Sequence, residues 1–113
     1  MSDSTLAGSD FETYAKEAAQ FLKLLANEHR LLVLCHLLAA GETSVSCLVK
    51  ELGLSQSALS QHLAKLREDG LVTFRRESQT LFYRVSDARA ARVLAVLKDI
   101  FCPTMGKAKE VSR

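Results

Sequence analysis

Apolar residues recur three to four positions apart in five stretches of the chain. That spacing gathers them on one side of an α-helix. The first predicted helix runs from Phe11 to 26–28, and the second continues from there to Gly41. The other three run from Ser44 to Gly53, from Ser55 to 69–70, and from about Asp87 to Pro103. The pattern therefore predicts a mainly α-helical chain.

The third and fourth predicted helices are joined by a short turn that contains Gly53. Glycine permits the left-handed backbone of a tight corner, and serine is a favoured N-cap residue, so Ser55 can start the fourth helix. Two helices joined in this way form a helix-turn-helix. We therefore expect a DNA-binding unit at this point of the chain.

The fourth predicted helix has a divided surface. Leu59, Leu63 and Leu66 point inward. The outward residues are small or flexible hydrogen-bonding side chains with no acid before Glu68: Ser55, Gln56, Ser57, Ser60, Gln61 and Lys65. Amides and hydroxyls of this kind contact base edges in the major groove, and serines at a helix N-terminus lie where phosphate binds well.

Beyond residue 70 the period changes from helical spacing to alternation. Apolar residues alternate with polar ones over 72–75 and again over 81–85, with a polar turn at 77–79, which predicts a β-hairpin. Arg75, Arg76 and Arg84 in this hairpin can reach the DNA backbone or the minor groove. Each element alone could be an ordinary solvated surface, but their order and spacing favour DNA binding.

The length of 113 residues allows one domain, and the net charge of +2 is too small to indicate nucleic-acid binding by itself. Basic residues nevertheless gather in 65–84, whereas acids crowd the start. We expect a disordered lead at 1–10, a winged helix-turn-helix at 11–103 and a flexible tail at 104–113. The apolar stripes of the first and last helices exceed what so small a core can cover, which predicts a homodimer.

The beginning of the chain lacks the basic start and apolar run of a signal peptide. The longest apolar stretch, 31–40, is about half of what a membrane span needs. We therefore expect a cytoplasmic protein with no membrane partner. In that compartment the three cysteines are not expected to form structural disulfides.

The run Leu-Gly-Leu-Ser-Gln-Ser-Ala-Leu-Ser-Gln-His-Leu at 52–63 resembles the helix-turn-helix of the ArsR/SmtB repressors. Residues 26–31 resemble the turn that opens their second helix, and 70–72 with 82–85 resemble their wing. The resemblance covers about 14–102 and implies a dimeric winged helix repressor of double-stranded operator DNA. Ser78 departs from the family, which often has glycine at the wing tip.

Two metal sites of that family have lost their ligands here. At the positions of a Cys-x-Cys pair stand Ser44 and Ser46, and serine is a poor ligand for soft metals. The positions of the second site are Asp87, Arg89, Ile100 and Pro103, of which only the first could bind a metal. We therefore expect neither a metal nor another cofactor, and we interpret Cys47 as a half-buried thiol.

Cys35 in the second helix and Cys102 at the end of the last one resemble the sulfide-responsive SqrR/BigR-type branch of the family. That resemblance implies a redox switch that releases DNA when persulfides or polysulfides join the two thiols. The regulated genes would then serve the response to sulfide, reactive sulfur or redox stress. Cys35 is expected on the apolar side of its helix, where burial would disfavour the reactive thiolate.

Three other functions stay open at this stage. A metal-responsive repressor would need a new ligand set, for example from Cys35, Cys102 and a histidine. A small thiol enzyme has only the cysteines in its favour, because the sequence contains no Cys-x-x-Cys motif. A DNA-binding module with inert cysteines is the third. His62 shares the inward side of the fourth helix, and we interpret it as a packed histidine.

Overall fold

The computed structural model describes residues 8–101, so the predicted tail at 104–113 and the positions Cys102 and Pro103 lie outside the described residues. The described chain contains five helices and three strands: α1 (Gly8–Leu25), α2 (Glu28–Ala40), β1 (Thr43–Ser44), α3 (Val45–Leu52), α4 (Gln56–Glu68), β2 (Val72–Glu77), β3 (Thr80–Val85) and α5 (Ala88–Phe101). The mainly helical fold with a small β-hairpin is confirmed.

Helix α1 begins three residues before the predicted start at Phe11. The expectation of a disordered lead is therefore wrong for residues 8–10, while 1–7 lie outside the described residues. Asp10 stands in the first turn of α1, where a carboxylate interacts favourably with the positive end of the helix dipole. A residue that was interpreted as part of a polar lead thus supports the helix start.

Side-chain caps set the starts of α2, α3 and α4, and the caps of α3 and α4 are the two serines that the sequence predicted. Ser44 Oγ accepts a hydrogen bond from Cys47 N at 3.2 Å, and Ser55 Oγ accepts one from Ala58 N at 3.1 Å. Asn27 Oδ1 does the same for His29 N and Arg30 N at the start of α2. Each cap satisfies amides that have no partner within the helix.

The core lies where α2, α3 and α4 meet the sheet and α5. Its fully buried leucines are 0–1% exposed and come from all of these helices and the start of the wing: Leu34, Leu37, Leu48, Leu59, Leu63, Leu66, Leu71 and Leu94. Burying each such side chain stabilises the fold by roughly 1.5–3 kcal/mol. The predicted inward residues of α4 are therefore confirmed.

The sheet has three strands in the order β1–β3–β2, all antiparallel. The sequence predicted only the hairpin, because a strand of two residues is too short to show alternation. Strand β1 pairs Thr43 with Tyr83 and so holds the segment after α2 against the wing.

The register of the hairpin divides its side chains between two faces. Val72, Phe74 and Arg76 lie opposite Val85, Tyr83 and Leu81 on the face that packs on the core, which we call the inner face. Thr73, Arg75 and Glu77 lie opposite Arg84, Phe82 and Thr80 on the outer face. The loop is only Ser78 and Gln79, and Ser78 has a φ of 60°.

Helices α1 and α5 leave much of their apolar surface exposed. The only buried side chain recorded in α1 is Leu25. Large apolar side chains of α1 and α5 are 52–74% exposed, and we call this group the α1–α5 apolar surface: Phe11, Tyr14, Leu22, Val96, Ile100 and Phe101. Neither of these helices, nor any other within residues 8–101, has the length and apolarity to cross a bilayer.

Candidate nucleic-acid interface

Helix α4 exposes every residue that the sequence assigned to its outward face. Ser55, Gln56, Ser57, Ser60, Gln61 and Lys65 are all exposed, whereas Leu59, Leu63 and Leu66 are buried beneath them. Because the helix rests on these leucines, its outward side chains have a fixed direction. The result is a surface of amides, hydroxyls and one ammonium group that can meet base edges and phosphates.

The N-terminus of α4 is the point of this surface best suited to phosphate. The Ser55 hydroxyl caps the helix through Ala58 N and lies 3.4 Å from the Ser57 hydroxyl. The cap satisfies only part of the first-turn amides, and the positive end of the helix dipole points outward there. An anion is stabilised at such a terminus.

Acids surround the other end of α4. Lys65 Nζ lies 3.6 Å from Glu68 Oε1 and 3.9 Å from Asp69 Oδ1. Asp69 also lies 3.5 Å from Arg30, whose Nη1 donates to Leu24 O at 2.7 Å. Arg30 therefore ties the end of α4 to the end of α1.

His62 packs as predicted. Its ring stacks on that of His29, with centroids 5.4 Å apart and planes inclined by 21°. The contact joins the first turn of α2 to the middle of α4. It therefore helps to fix the orientation of α4 against α2.

Arg75 is engaged by carboxylates, which the sequence did not predict. Its Nε and Nη2 donate to the two carboxylate oxygens of Glu42 at 2.8 and 3.0 Å. Its Nη1 lies 3.4 Å from Glu77, and its guanidinium stacks on Phe82 at 4.8 Å. The hydrogen bond from Arg75 is the main cause that lowers the pKa of Glu42, and the pKa of Arg75 is raised in return.

The structure also divides the predicted wing arginines between two faces. Arg75 and Arg84 lie on the outer face, where both act on Glu42. Arg76 lies on the inner face, and no ion pair is recorded for it within residues 8–101. Arg67 of α4 was not among the predicted DNA contacts, and its guanidinium stacks on the ring of Phe74 at 4.4 Å. Its positive charge two positions after Lys65 was the signal available in the sequence.

The position of Cys35 differs from the prediction. The buried residues of α2 are Val33, Leu34 and Leu37, and Cys35 lies on a different side of the helix from this stripe and is exposed. The expected burial of this thiol is therefore wrong for the protomer. Cys102 lies outside the described residues. Cys47 is exposed, not half-buried, because α3 turns Leu48 to the core instead.

The residues at the two family metal positions are used for other contacts. Ser44 Oγ lies within hydrogen-bond distance of Ser46 Oγ, at 3.2 Å. Asp87 Oδ1 accepts hydrogen bonds from Arg89 N at 2.7 Å and from Ala90 N at 3.1 Å, which caps α5. The Arg89 side chain and these amides lower the pKa of Asp87. The part of the chain that the structure describes has no cluster of three or more histidine, cysteine or acidic residues fit to hold a metal ion.

Known proteins share this arrangement. Residues 27–73 match the family described as "Bacterial regulatory protein, arsR family". The transcriptional activator HlyU of Vibrio cholerae is 47% identical over 93 residues, which cover 82% of this chain and 85% of HlyU. The biofilm growth-associated repressor of Xylella fastidiosa is 41% identical over 105 residues, 90% of this chain and 91% of that protein.

A solved structure agrees with the sequence matches. The structure described as reduced HlyU from Vibrio cholerae superposes with a TM-score of 0.76 at 47% identity, over 82% of this chain and 97% of that one. These relatives are named as a transcriptional activator and a repressor, which supports a transcriptional regulator over the thiol enzyme that the sequence left open. The chain belongs to the ArsR family of winged helix transcriptional regulators.

Proposed function

We propose that the chain is a homodimeric repressor that binds operator DNA through α4 and the wing and releases it when reactive sulfur joins Cys35 and Cys102. The observation that carries the DNA-binding part is the outward face of α4. All six of its predicted contact residues are exposed on a helix whose opposite side is fully buried. A surface that is rigid, polar and free of acids through residue 65 is what major-groove recognition requires.

The residues of the interface have separate tasks in this proposal. Gln56, Ser60 and Gln61 contact base edges, because amides and hydroxyls can both donate and accept. Ser55 and Ser57 position a phosphate at the start of α4. The remaining contacts are cationic and reach the sugar–phosphate backbone or the minor groove: Lys65, Arg75, Arg76 and Arg84.

The α1–α5 apolar surface supports the dimer. Exposed apolar patches of this kind mark protein–protein contacts. A second copy of the chain buries the patch across a two-fold axis, and the two α4 helices then address half-sites about 34 Å apart or a multiple of that. The sulfur switch has to act on this paired arrangement.

Three observations support the switch. Cys35 is exposed, so a soluble sulfur compound can reach it. Helix α2, which carries Cys35, packs against α5, whose described part ends one residue before Cys102. One structural neighbour is described as the reduced form of HlyU, so two redox states are distinguished in that relative.

The chemistry balances with a polysulfide as the oxidant. One cysteine thiolate attacks a polysulfide, keeps two of its sulfur atoms as Cys–S–S–SH and displaces a shorter polysulfide. The second thiolate attacks the central sulfur, which forms a trisulfide bridge and expels hydrosulfide. Two thiols are oxidised, and sulfur of the polysulfide is reduced. The bridge joins α2 to α5 and tilts α4 and the wing relative to the dimer interface. Bridge formation and DNA binding are then coupled by about 1–3 kcal/mol.

The test is operator binding by cysteine variants. Cys35→Ser and Cys102→Ser should bind the operator as tightly as the reduced wild type and should not be released by polysulfide. Cys47→Ser is the matched control and should respond fully. Intact-mass spectrometry of the wild type should show added sulfur and the loss of two hydrogens. A full response in either of the first two variants removes that cysteine from the mechanism, and a reduced wild type that binds no duplex removes the DNA-binding proposal itself.

A further inference from the structure

Two positive side chains on the outer face of the wing are balanced by one acid on that face and one beside it. Arg75 and Arg84 supply the cations, and Glu42 and Glu77 supply the anions. A surface that approaches DNA usually carries a clear excess of positive charge. The acid beside the outer face therefore needs an explanation that the DNA-binding function alone does not give.

The Glu42–Arg75 pair has the geometry by which arginine binds phosphate. Two parallel N–H donors of Arg75 meet the two oxygens of one carboxylate at 2.8 and 3.0 Å. A phosphate group accepts the same two-pronged hydrogen bond from a guanidinium. Carboxylate and phosphate consequently compete for one edge of Arg75, while Phe82 covers its flat face.

The backbone fixes Glu42 in this position. Glu42 stands between the C-cap Gly41 of α2 and strand β1. Because β1 pairs Thr43 with Tyr83, the antiparallel register places Glu42 beside Arg84 and next to the β2 arginine. The hydrogen bond from Arg75 lowers the pKa of Glu42, so the pairing favours the charged carboxylate. The pair is therefore a feature of the sheet, not a chance contact of two long side chains.

We propose that Glu42 limits the affinity for DNA by occupying Arg75, so that this arginine contributes to phosphate binding only when a backbone phosphate displaces the carboxylate. The inference rests on the proposed DNA-binding function and adds a negative determinant to it. Glu42 acts on the wing cation without touching the nucleic acid. Its main effect is to weaken the attraction to any duplex, whatever the sequence, because a phosphate contact carries no sequence information. The base contacts of α4 are affected less.

The experiment measures the dissociation constant of Glu42→Gln for a non-operator duplex across a series of salt concentrations. Glutamine keeps the size of the side chain and removes the charge. We expect binding at low salt to tighten roughly three- to tenfold, because each additional phosphate that the protein neutralises steepens the slope of log affinity against log salt by about 0.9. An unchanged slope would overturn the proposal.

Two further comparisons separate Arg75 from a general effect of charge. Glu12→Gln removes one exposed acid from α1, and its salt slope should equal that of the wild type. In an Arg75→Gln background, Glu42→Gln should no longer steepen the slope. If the effect persists there at full size, Glu42 acts through the general field and the proposal fails. A wild type that binds no duplex would instead reject the DNA-binding function, so the two failures are distinguishable.

Discussion

Helix α4 and the wing form the two halves of the proposed DNA interface, and they are built differently. In α4 the residues that hold the fold and the residues that face outward lie on opposite sides of one helix. In the wing the same arginine that could bind DNA is also held by Glu42, Glu77 and the ring of Phe82. Stability and DNA contact are therefore separable in α4 and coupled in the outer face of the wing.

This difference leads to different consequences of mutation. Apart from the N-cap residue Ser55, an outward substitution in α4 should change DNA affinity without changing stability, and an inward one should do the reverse. In the wing, each change to Arg75 also releases two carboxylates, so its effect on affinity combines the loss of a cation with the appearance of unpaired acids. Three experiments test this contrast, in order of decreasing effect.

The largest effect is expected for Leu63→Ala in α4. Leu63 is 1% exposed, and truncating a leucine in such a site costs about 2–5 kcal/mol through lost burial and the cavity that remains. Thermal unfolding at one fixed protein concentration measures the loss, since the stability of the proposed dimer depends on concentration.

Gln61→Ala, two residues earlier and exposed, is the matched control for this helix. Its free energy of unfolding should stay within about 0.5 kcal/mol of the wild type. Its operator affinity should fall by about 1–3 kcal/mol if the amide contacts a base edge. Equal losses of stability in both variants would show that the two sides of α4 are not separate.

The same contrast explains how far the sequence could predict each half. The outward face of α4 follows from helical periodicity within 13 residues, so a local pattern was sufficient. The partner of Arg75 lies 33 positions earlier in the chain, and only the pairing of β1 with β3 brings the two together. Because β1 has only two residues, it shows no alternation of apolar and polar residues from which the strand could be predicted.

The prediction for Cys35 was wrong for a related reason. Helix α2 is apolar over most of its surface, with leucine, valine or alanine at most of its 13 positions. Periodicity therefore fixes its buried stripe poorly, and the stripe of Val33, Leu34 and Leu37 is turned away from Cys35. By contrast, Ser44 and Ser55 were predicted correctly as caps because a cap depends on neighbours only three residues away.

An intermediate effect is expected at Ser55, where a cap and a proposed phosphate contact coincide in one residue. Ser55→Ala removes the hydrogen bond to Ala58 N and should cost about 0.5–2 kcal/mol of stability. Ser55→Asp keeps the cap and adds favourable charge at the helix N-terminus, so its stability should match or exceed that of the wild type. Its carboxylate should nevertheless repel phosphate and lower DNA affinity, measured by fluorescence anisotropy. Full affinity in Ser55→Asp would place the phosphate elsewhere.

The smallest effect is expected at the wing tip. Ser78 has a φ of 60°, and a left-handed backbone costs a residue with a side chain about 1–2 kcal/mol. Glycine avoids that cost but loses about 0.5–1 kcal/mol more conformational entropy on folding, so Ser78→Gly should add at most about 1.5 kcal/mol of stability in urea unfolding. Gln79→Gly is the control. Gln79 has no positive φ, so the glycine variant relieves no backbone cost there and should be less stable than the wild type.

The DNA affinity of Ser78→Gly then shows whether the coupling of fold and contact extends to the tip. The change removes a hydroxyl and no charge, so the salt slope should not move in either case. If affinity stays the same while stability rises, the tip serves only the turn, and the coupling is confined to the Glu42–Arg75 part of the outer face. If affinity falls although the turn is relaxed, the Ser78 hydroxyl itself contacts the duplex, and the whole wing combines structure with binding in a way that α4 does not.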